Sequence, residues 1–580
     1  MARRARPVLA VASGLLLVAG LTGTVNGTAH AHETSGAAVP DLGPGSPAYD
    51  ARDSSHAPAL SARTMYGDRS RPNVVVVMAD DARNDDLRFM PHVRHLIGDQ
   101  GVRFANTFSP QPLCCPARAS FLTGEYSHNH HVWSHVSPFG FRALHDKETL
   151  PVWLNRAGYD TTFLGKYLNG YGTQRLRSGG SSLHYVPPGW SDWRGSVDGG
   201  DAASPQLDGG TYRYFDTTLN VNGVLQPHHG EYQTHLFSRV AQQTFRNEAR
   251  SPRPFFSWLS FVAPHHGLPH ESDDPKPLRR TDGRLETFSN PARPTYVWGR
   301  FDKVIRHAPG FRGQKDVSQT PFFIRDKPQM DAAEQRAVLQ DTRERAEALS
   351  VLDDEVARMM RVLRSTGQLR NTYVVFTSDN GYFLGEHRMR QGKILPYEPS
   401  LRVPLLIRGP GIPKGQVRTD PFTTLDFAPT ILQAAGVPVP ATVDGASLLD
   451  VAKHGDRGWT RGILTETGPR TVGSDSGESD NFLVDGHTGP SPLRFSQGVR
   501  TGRYLYVEHA SREQELYDLS TDPTELHNLV HRPRWQRVRR ALAHELDLLR
   551  NCVGAQCRVP LPALLRTRHP ALPLRDGSYD

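Results

Sequence analysis

The chain has 580 residues, of which 37% are hydrophobic and 22% charged. That balance excludes a disordered chain and an integral membrane protein, and the length suits one large domain plus a smaller one. The formal charge of +8 (68 basic residues against 60 acidic) reads as a basic-leaning surface. No Lys/Arg block forms a nucleic-acid arm, so no nucleic-acid partner is expected.

Arg3, Arg4 and Arg6, an apolar stretch over residues 7–21 and the small-residue pattern Ala29-His30-Ala31 predict a signal peptide over 1–31. The protein is then secreted or extracytoplasmic. The apolar run is short of the roughly 20 residues a membrane helix needs, so no stable span is expected after cleavage. Residues 32–71, rich in Gly, Ser, Ala, Pro and Asp, read as a flexible leader.

Residues 73–78, with four consecutive valines, predict a strand buried on both faces of a parallel sheet. It runs into Asp80-Asp81, at the strand edge where sites form in open α/β sheets. Helix–strand alternation recurs over 152–164. Residues 172–230, rich in Gly, Ser and Asp, read as a long surface excursion, either shaping substrate access or plain loop. Leu349, Leu352, Val356, Met359 and Leu363 form an apolar helical stripe ended by Gly367. A second buried strand over 373–377 finishes in Ser378-Asp379-Asn380-Gly381. The alternation continues over 424–432 and at Ile463-Leu464. Hairpin strands over 495–499, 504–508 and 515–518, then a helix over 535–549, predict a small antiparallel sheet with one helix. The fold class is α/β. A large mixed, mostly parallel sheet flanked by helices is expected over 72–455, a C-terminal antiparallel-sheet-plus-helix subdomain over 456–558, and an irregular tail over 559–580.

The chain has four cysteines. Cys552 and Cys557 close a short loop suited to a disulfide in an oxidising compartment; a zinc site would call for a second Cys or His pair nearby. Adjacent Cys114 and Cys115 are poorly placed to bond each other, which points to a special role for at least one. Asp80, Asp81, Asp379 and Asn380 are hard oxygen ligands from two strand ends, suited to Ca²⁺ or Mg²⁺ rather than zinc. One such pair alone reads as a turn or helix cap; both following buried strands favours a metal.

The sharpest motif is Cys114-Cys115-Pro116-Ala117-Arg118, followed by Thr123-Gly124. With Asp80-Asp81, Gly165-Lys166, Pro264-His265 and Ser378-Asp379-Asn380-Gly381 in order, it resembles the type I sulfatases of the alkaline phosphatase superfamily over about residues 72–555. The chain looks most similar to N-acetylglucosamine-6-sulfatase-like members, through 113–123, His128-Asn129-His130-His131, 165–169 and the Cys552–Cys557 tail.

The resemblance implies an alkaline phosphatase-like fold and a sulfuric ester hydrolase acting on sulfated sugars such as N-acetylglucosamine 6-sulfate, or on aryl sulfates. It implies that a formylglycine-generating enzyme oxidises Cys114 to 3-oxoalanine (formylglycine), and that Asp80, Asp81, Cys114, Asp379 and Asn380 hold the metal. Arg118 and Lys166 are expected to hold residue 114 and neutralise charge. Lys393 and His265 are expected to meet sulfate or leaving-group oxygens, with His265 the better general acid and His266 second. There is one departure. Many sulfatases carry Lys-x-His, and here Leu168 follows Lys166-Tyr167, so the base for sulfate elimination is not identified. Asn169 cannot accept a proton at neutral pH, and His387 is a candidate substitute or substrate contact. The His128–His131 run is expected to pack at a helix end or pocket rim, and Asp426 and Asp444 to serve structure. Two alternatives are a phosphate or phosphonate ester hydrolase of the same superfamily, and a catalytically dead sulfated-glycan-binding protein.

Overall fold

The computed structural model describes residues 71–199, 209–279, 283, 285–311, 316–468 and 495–572. The expected signal peptide, the leader up to residue 70 and the end of the tail lie outside these residues. Alternation along the valine run sets the layers. In β1 (Asn73–Ala79), Val74, Val76 and Met78 enter one core while Val75 and Val77 enter another.

β1 is central to a ten-stranded sheet. The others are β2 (Val102–Phe104), β3 (Asp160–Lys166), β4 (Asp192–Ser196), β5 (Asp216–Val221), β6 (Val224–His229), β7 (Phe255–Ser260), β8 (Thr372–Ser378), β9 (Leu405–Arg408) and β10 (Gln416–Arg418). Their order is β10-β2-β9-β8-β1-β7-β3-β4-β5-β6. The strands β8, β1, β7, β3 and β4 run parallel, and β9 and β5 flank them antiparallel. The expected surface excursion over 172–230 therefore supplies three strands instead. Composition hid them because β4 offers one large apolar residue, Trp193, and β6 (VLQPHH) is an exposed polar edge.

Helices α1 (Cys114–Thr123), α2 (Leu150–Arg156), α3 (Gln233–Glu248), α4 (Ala332–Ser365) and α5 (Phe427–Ala434) cover the sheet. α1, α2 and α5 pack on the Val74 face, α3 and α4 on the Val75 face. α4 starts well before its apolar stripe. Asp331 caps it by accepting from the Ala333 and Glu334 N–H groups at 2.7 and 2.8 Å, and Glu334 accepts from Asp331 N–H at 2.8 Å. Its first half buries Asp341, Glu344, Arg345 and Glu347, which break the apolar period that marks the second half.

The strands β11 (Ile463–Thr467), β12 (Ser496–Arg500), β13 (Tyr504–His509) and β14 (Gln514–Asp518) form an antiparallel sheet in chain order. Ile463-Leu464 thus opens this sheet and does not continue the large one. Helix α6 (Gln536–Leu549) shares its core through Leu542, Leu546 and Leu549. Cys552 and Cys557 are disulfide-bonded. Among the described residues, no helix is long and apolar enough to cross a membrane.

Candidate active site

Strand register brings the oxygen ligands together. β1 and β8 pair from Asn73↔Thr372 to Ala79↔Ser378, so Asp80 and Asp379 leave the sheet side by side. Asp81 N–H donates to Asp379 Oδ1 at 3.1 Å, and Ala82 N–H to Ser378 Oγ at 2.9 Å. Asp81 takes a left-handed backbone (φ 68°), a strained conformation that Asp tolerates better than most residues. Asp80, Asp81, Asp379 and Asn380 are all fully buried.

α1 begins at Cys114, so this residue occupies the turn whose free N–H groups and dipole favour an anion. Pro116 is tolerated there because first-turn N–H groups lack helical partners anyway. Gly124 ends α1 at φ 75°, where a Cβ would meet Val443 Cγ1 at 2.8 Å. Cys114 Sγ lies 3.2 Å from Asp80 Oδ1, 3.9 Å from Asp81 Oδ1 and 2.8 Å from Lys393 Nζ. Burial, then the neighbouring Asp80, pushes its thiol well above the ordinary range. Cys115 points elsewhere, with Sγ 4.0 Å from the Asn169 carbonyl.

Arg118 lies one turn along α1. Its Nε donates to Asp379 Oδ2 at 2.8 Å, and its Nη1 to the Lys166 carbonyl at 2.7 Å and Ser260 Oγ at 2.5 Å. Gly165 lets β3 lie close against β7, since a Cβ there would meet the Ser260 carbonyl at 2.0 Å. Lys166 Nζ pairs with Asp80 Oδ2, and Lys393 Nζ with Asp81 Oδ1 at 2.5 Å. Burial opposes ionisation of Asp80, but Lys166, His265 and Arg118 outweigh it and hold the carboxyl down to about 2. His265 Nδ1 lies 2.7 Å from the His266 carbonyl, which only accepts, so Nδ1 carries a proton. Its Nε2 faces Asp81 Oδ2 at 3.8 Å.

The donor set fits a hard cation. Asp81 Oδ2 and Asn380 Oδ1 are buried and accept no hydrogen bond from any described residue. One atom each from Asp80, Asp81, Cys114 and Asp379 lies within 4.8 Å of the others. Three carboxylates (Asp80, Asp81, Asp379) balance Arg118, Lys166 and Lys393, so with His265 left out of the count a bound divalent cation would bring the site to +2, a sign that attracts an anionic ester.

The remaining expected residues divide. Leu168 sits in the hydrophobic core, and Asn169 Nδ2 donates to Tyr212 Oη at 2.7 Å. His387 is a correction: it stacks on Tyr397 at 4.1 Å with Glu525 Oε2 3.6 Å from Nε2, and burial lowers its pKa to about 4. His128 binds Glu466 and the Cys552 carbonyl, His130 binds Ser120, Asp426 pairs with Arg461, and Asp444 holds the Tyr126 and Gly554 N–H groups. These are packing roles. Two residues escaped the sequence. Tyr212 lies 4.8 Å from the His265 ring and 4.9 Å from Lys166 Nζ, but sits in the stretch read as an excursion. Arg345 donates to the Asp81 carbonyl at 2.6 Å and the Pro264 carbonyl at 3.2 Å, and nothing in the sequence separates it from partly exposed Arg343 on the same helix.

Residues 72–437 match the sulfatase family model. The chain is 30% identical to an extracellular sulfatase SULF-1 homolog of Drosophila melanogaster, over 72% of this chain but 35% of that one. It spans about half of the corresponding Caenorhabditis elegans relative (53%). Identity to the N-acetylglucosamine-6-sulfatase of Homo sapiens is 29%, over 84% of this chain and 86% of that one. Two solved structures share the fold. One is a protein in complex with its substrate D-glucosamine-2-N,6-O-disulfate (TM-score 0.59, 22% identity, 82% of this chain and 97% of that one). The other is the phosphonate monoester hydrolase of Agrobacterium radiobacter (TM-score 0.56, 23% identity, 83% and 95%). With the motif order, the alkaline phosphatase-like sheet and the family match in agreement, this chain belongs to the sulfatase family.

Proposed function

We propose that the chain is a secreted sulfuric ester hydrolase acting on sulfated sugars, with N-acetylglucosamine 6-sulfate as the leading substrate and aryl sulfates as the second class. The observation that carries this reading is the position of Cys114. It heads a buried helix and lies against Asp80 and Lys393, beside two orphaned ligand oxygens. The names of the relatives support a sulfated sugar and an extracellular location, with residues 1–31 as the export signal. In this reading residues 72–455 form the catalytic domain and 456–558 its subdomain.

The run Cys114-Cys115-Pro116-Ala117-Arg118 supports conversion of Cys114 to formylglycine by a formylglycine-generating enzyme. The hydrated aldehyde supplies two hydroxyls on one carbon, one to attack sulfur and one to expel sulfate afterwards. Asp80, Asp81, Asp379 and Asn380, with residue 114, hold Ca²⁺ or Mg²⁺, which supplies polarisation of the sulfate oxygens. The protein's own groups do the rest. Arg118, locked by Asp379, the Lys166 carbonyl and Ser260, fixes the first turn of α1 beneath the ester. Lys166 neutralises Asp80, and Lys393 donates to oxygens at residue 114. His265, tied through Nδ1, turns Nε2 inward to protonate the departing alcohol.

The test pairs peptide mass spectrometry of residue 114 with turnover of N-acetylglucosamine 6-sulfate, 4-nitrophenyl sulfate and 4-nitrophenyl phosphate. Sulfate turnover with an aldehyde at position 114 is expected. Dominant phosphate turnover would sink the sulfatase reading, and an intact thiol in active protein would refute the formylglycine step.

A further inference from the structure

A concave site lies apart from the Cys114 cluster and shares no lining residue with it. A cavity of about 670 Å³ opens between residues 318–325 and the C-terminal sheet. Its wall is well braced. Asn528 Nδ2 donates to the Gln514 carbonyl at 3.0 Å, while its Oδ1 accepts from the Leu516 and Val530 N–H groups, each at 3.0 Å. This straps the 528–533 segment onto edge strand β14.

Four basic side chains line the cavity: Arg325, Arg512, His531 and Arg532. The one carboxylate, Glu513, is already engaged by Phe322 N–H at 3.2 Å and Ser511 Oγ at 3.0 Å, with Arg325 Nη1 at 3.9 Å. Arg325 also has Asp326 Oδ1 at 3.7 Å. Arg512, His531 and Arg532 are exposed, and none forms an ion pair with a described residue. Three arginines against Glu513 and Asp326 leave a net charge of +1 with His531 neutral, and Arg512 and Arg532 are the guanidinium groups left unpaired. Unpaired positive charge gathered in a concavity concentrates potential and recruits anions.

A guanidinium group can pair bidentately with two oxygens of a sulfate or a carboxylate. Ser318, Gln319 and Gln514 add hydroxyl and amide groups of the kind that bind sugar hydroxyls. The volume lies in the range of sites that enclose a multi-ring ligand, well beyond one inorganic anion. We propose that this cavity binds an internal segment of an anionic polysaccharide, so that a sulfated glycan is held here while another part of it is processed at residue 114. The processing clause rests on the sulfatase reading; the binding clause does not.

The test uses the full chain and its Arg512→Glu/Arg532→Glu variant, with Arg325→Glu as a third step. Fluorescence anisotropy with a labelled heparin octasaccharide is read beside turnover of 4-nitrophenyl sulfate and the melting temperature. Native protein should bind with an affinity that falls as salt rises. The double variant should bind at least ~10-fold more weakly, with melting temperature and small-substrate turnover unchanged. An unchanged affinity in the folded double variant overturns the site. Equal affinity for a DNA oligonucleotide of matched charge overturns the polysaccharide assignment. Arginine-dependent octasaccharide binding in a protein that turns over no sulfate ester would refute the sulfatase reading and uphold the cavity.

Discussion

Two carboxylates with no solvent exposure sit in opposite surroundings. Glu515, on β14, accepts from Tyr397 Oη at 2.9 Å, from His509 Nε2 at 2.6 Å and from Tyr517 Oη, so both of its oxygens are used. Asp81, just past β1, has Oδ1 crowded by Lys393 Nζ at 2.5 Å and Asn380 Nδ2 at 2.6 Å, while Oδ2 receives no hydrogen bond. A buried acceptor left short of partners is costly, and folds keep it only where something else will complete it. The contrast is local: the neighbours of Glu515 satisfy both of its oxygens, whereas at the carboxyl edge of the large sheet one oxygen of Asp81 stays open. At Asp81 the open oxygen lies among other carboxylates at a strand edge, and that combination marks a ligand site.

The hardest way to break this contrast is at residue 114. Cys114→Ala should lower turnover by about 10⁴-fold or more, as loss of a nucleophile does, with the melting temperature nearly unchanged. Cys115→Ala, by contrast, should retain activity. Equal losses in steady-state assays of both variants would remove Cys114 from its role.

Glu515→Ala should behave in the opposite sense. It strands His509, Tyr397 and Tyr517, and breaking a buried network of this kind costs about 3–5 kcal/mol of stability. Urea denaturation should show that loss, while kcat of the folded fraction stays near native. A collapse of kcat without a stability change would erase the distinction between the two regions.

Asp81→Asn keeps the shape and removes the charge. Metal content and turnover should fall together, the latter by about 10²–10³-fold, the scale for removing one preorganised electrostatic contact. Elemental analysis beside kinetics decides it, and full metal occupancy with lost activity would argue against this ligand. The smallest effect is expected at the disulfide. Cys552→Ser/Cys557→Ser opens a short loop, so thermal unfolding should report a loss of about 2 kcal/mol with turnover intact.

The sequence alone determined the parts whose signals are local. Four consecutive valines specify a doubly buried strand, and Asp80-Asp81 and Asp379-Asn380 end their strands. Periodicity and turn chemistry are encoded over a few residues, so these elements were legible, as was most of the C-terminal sheet. What joins them was not. Only the β1–β8 register sets Asp80 beside Asp379, and only packing brings Lys393 within 2.8 Å of a sulfur 279 residues away. His387, close in sequence to Asn380 and Lys393, turns instead onto Tyr397. Tyr212 reaches His265 from a stretch whose glycines and aspartates disguised three strands, and Arg345 reaches Asp81 from a helix half whose charges concealed it. Contacts across hundreds of residues depend on how two sheet faces and their helices settle against each other. No short window of the chain carries that information.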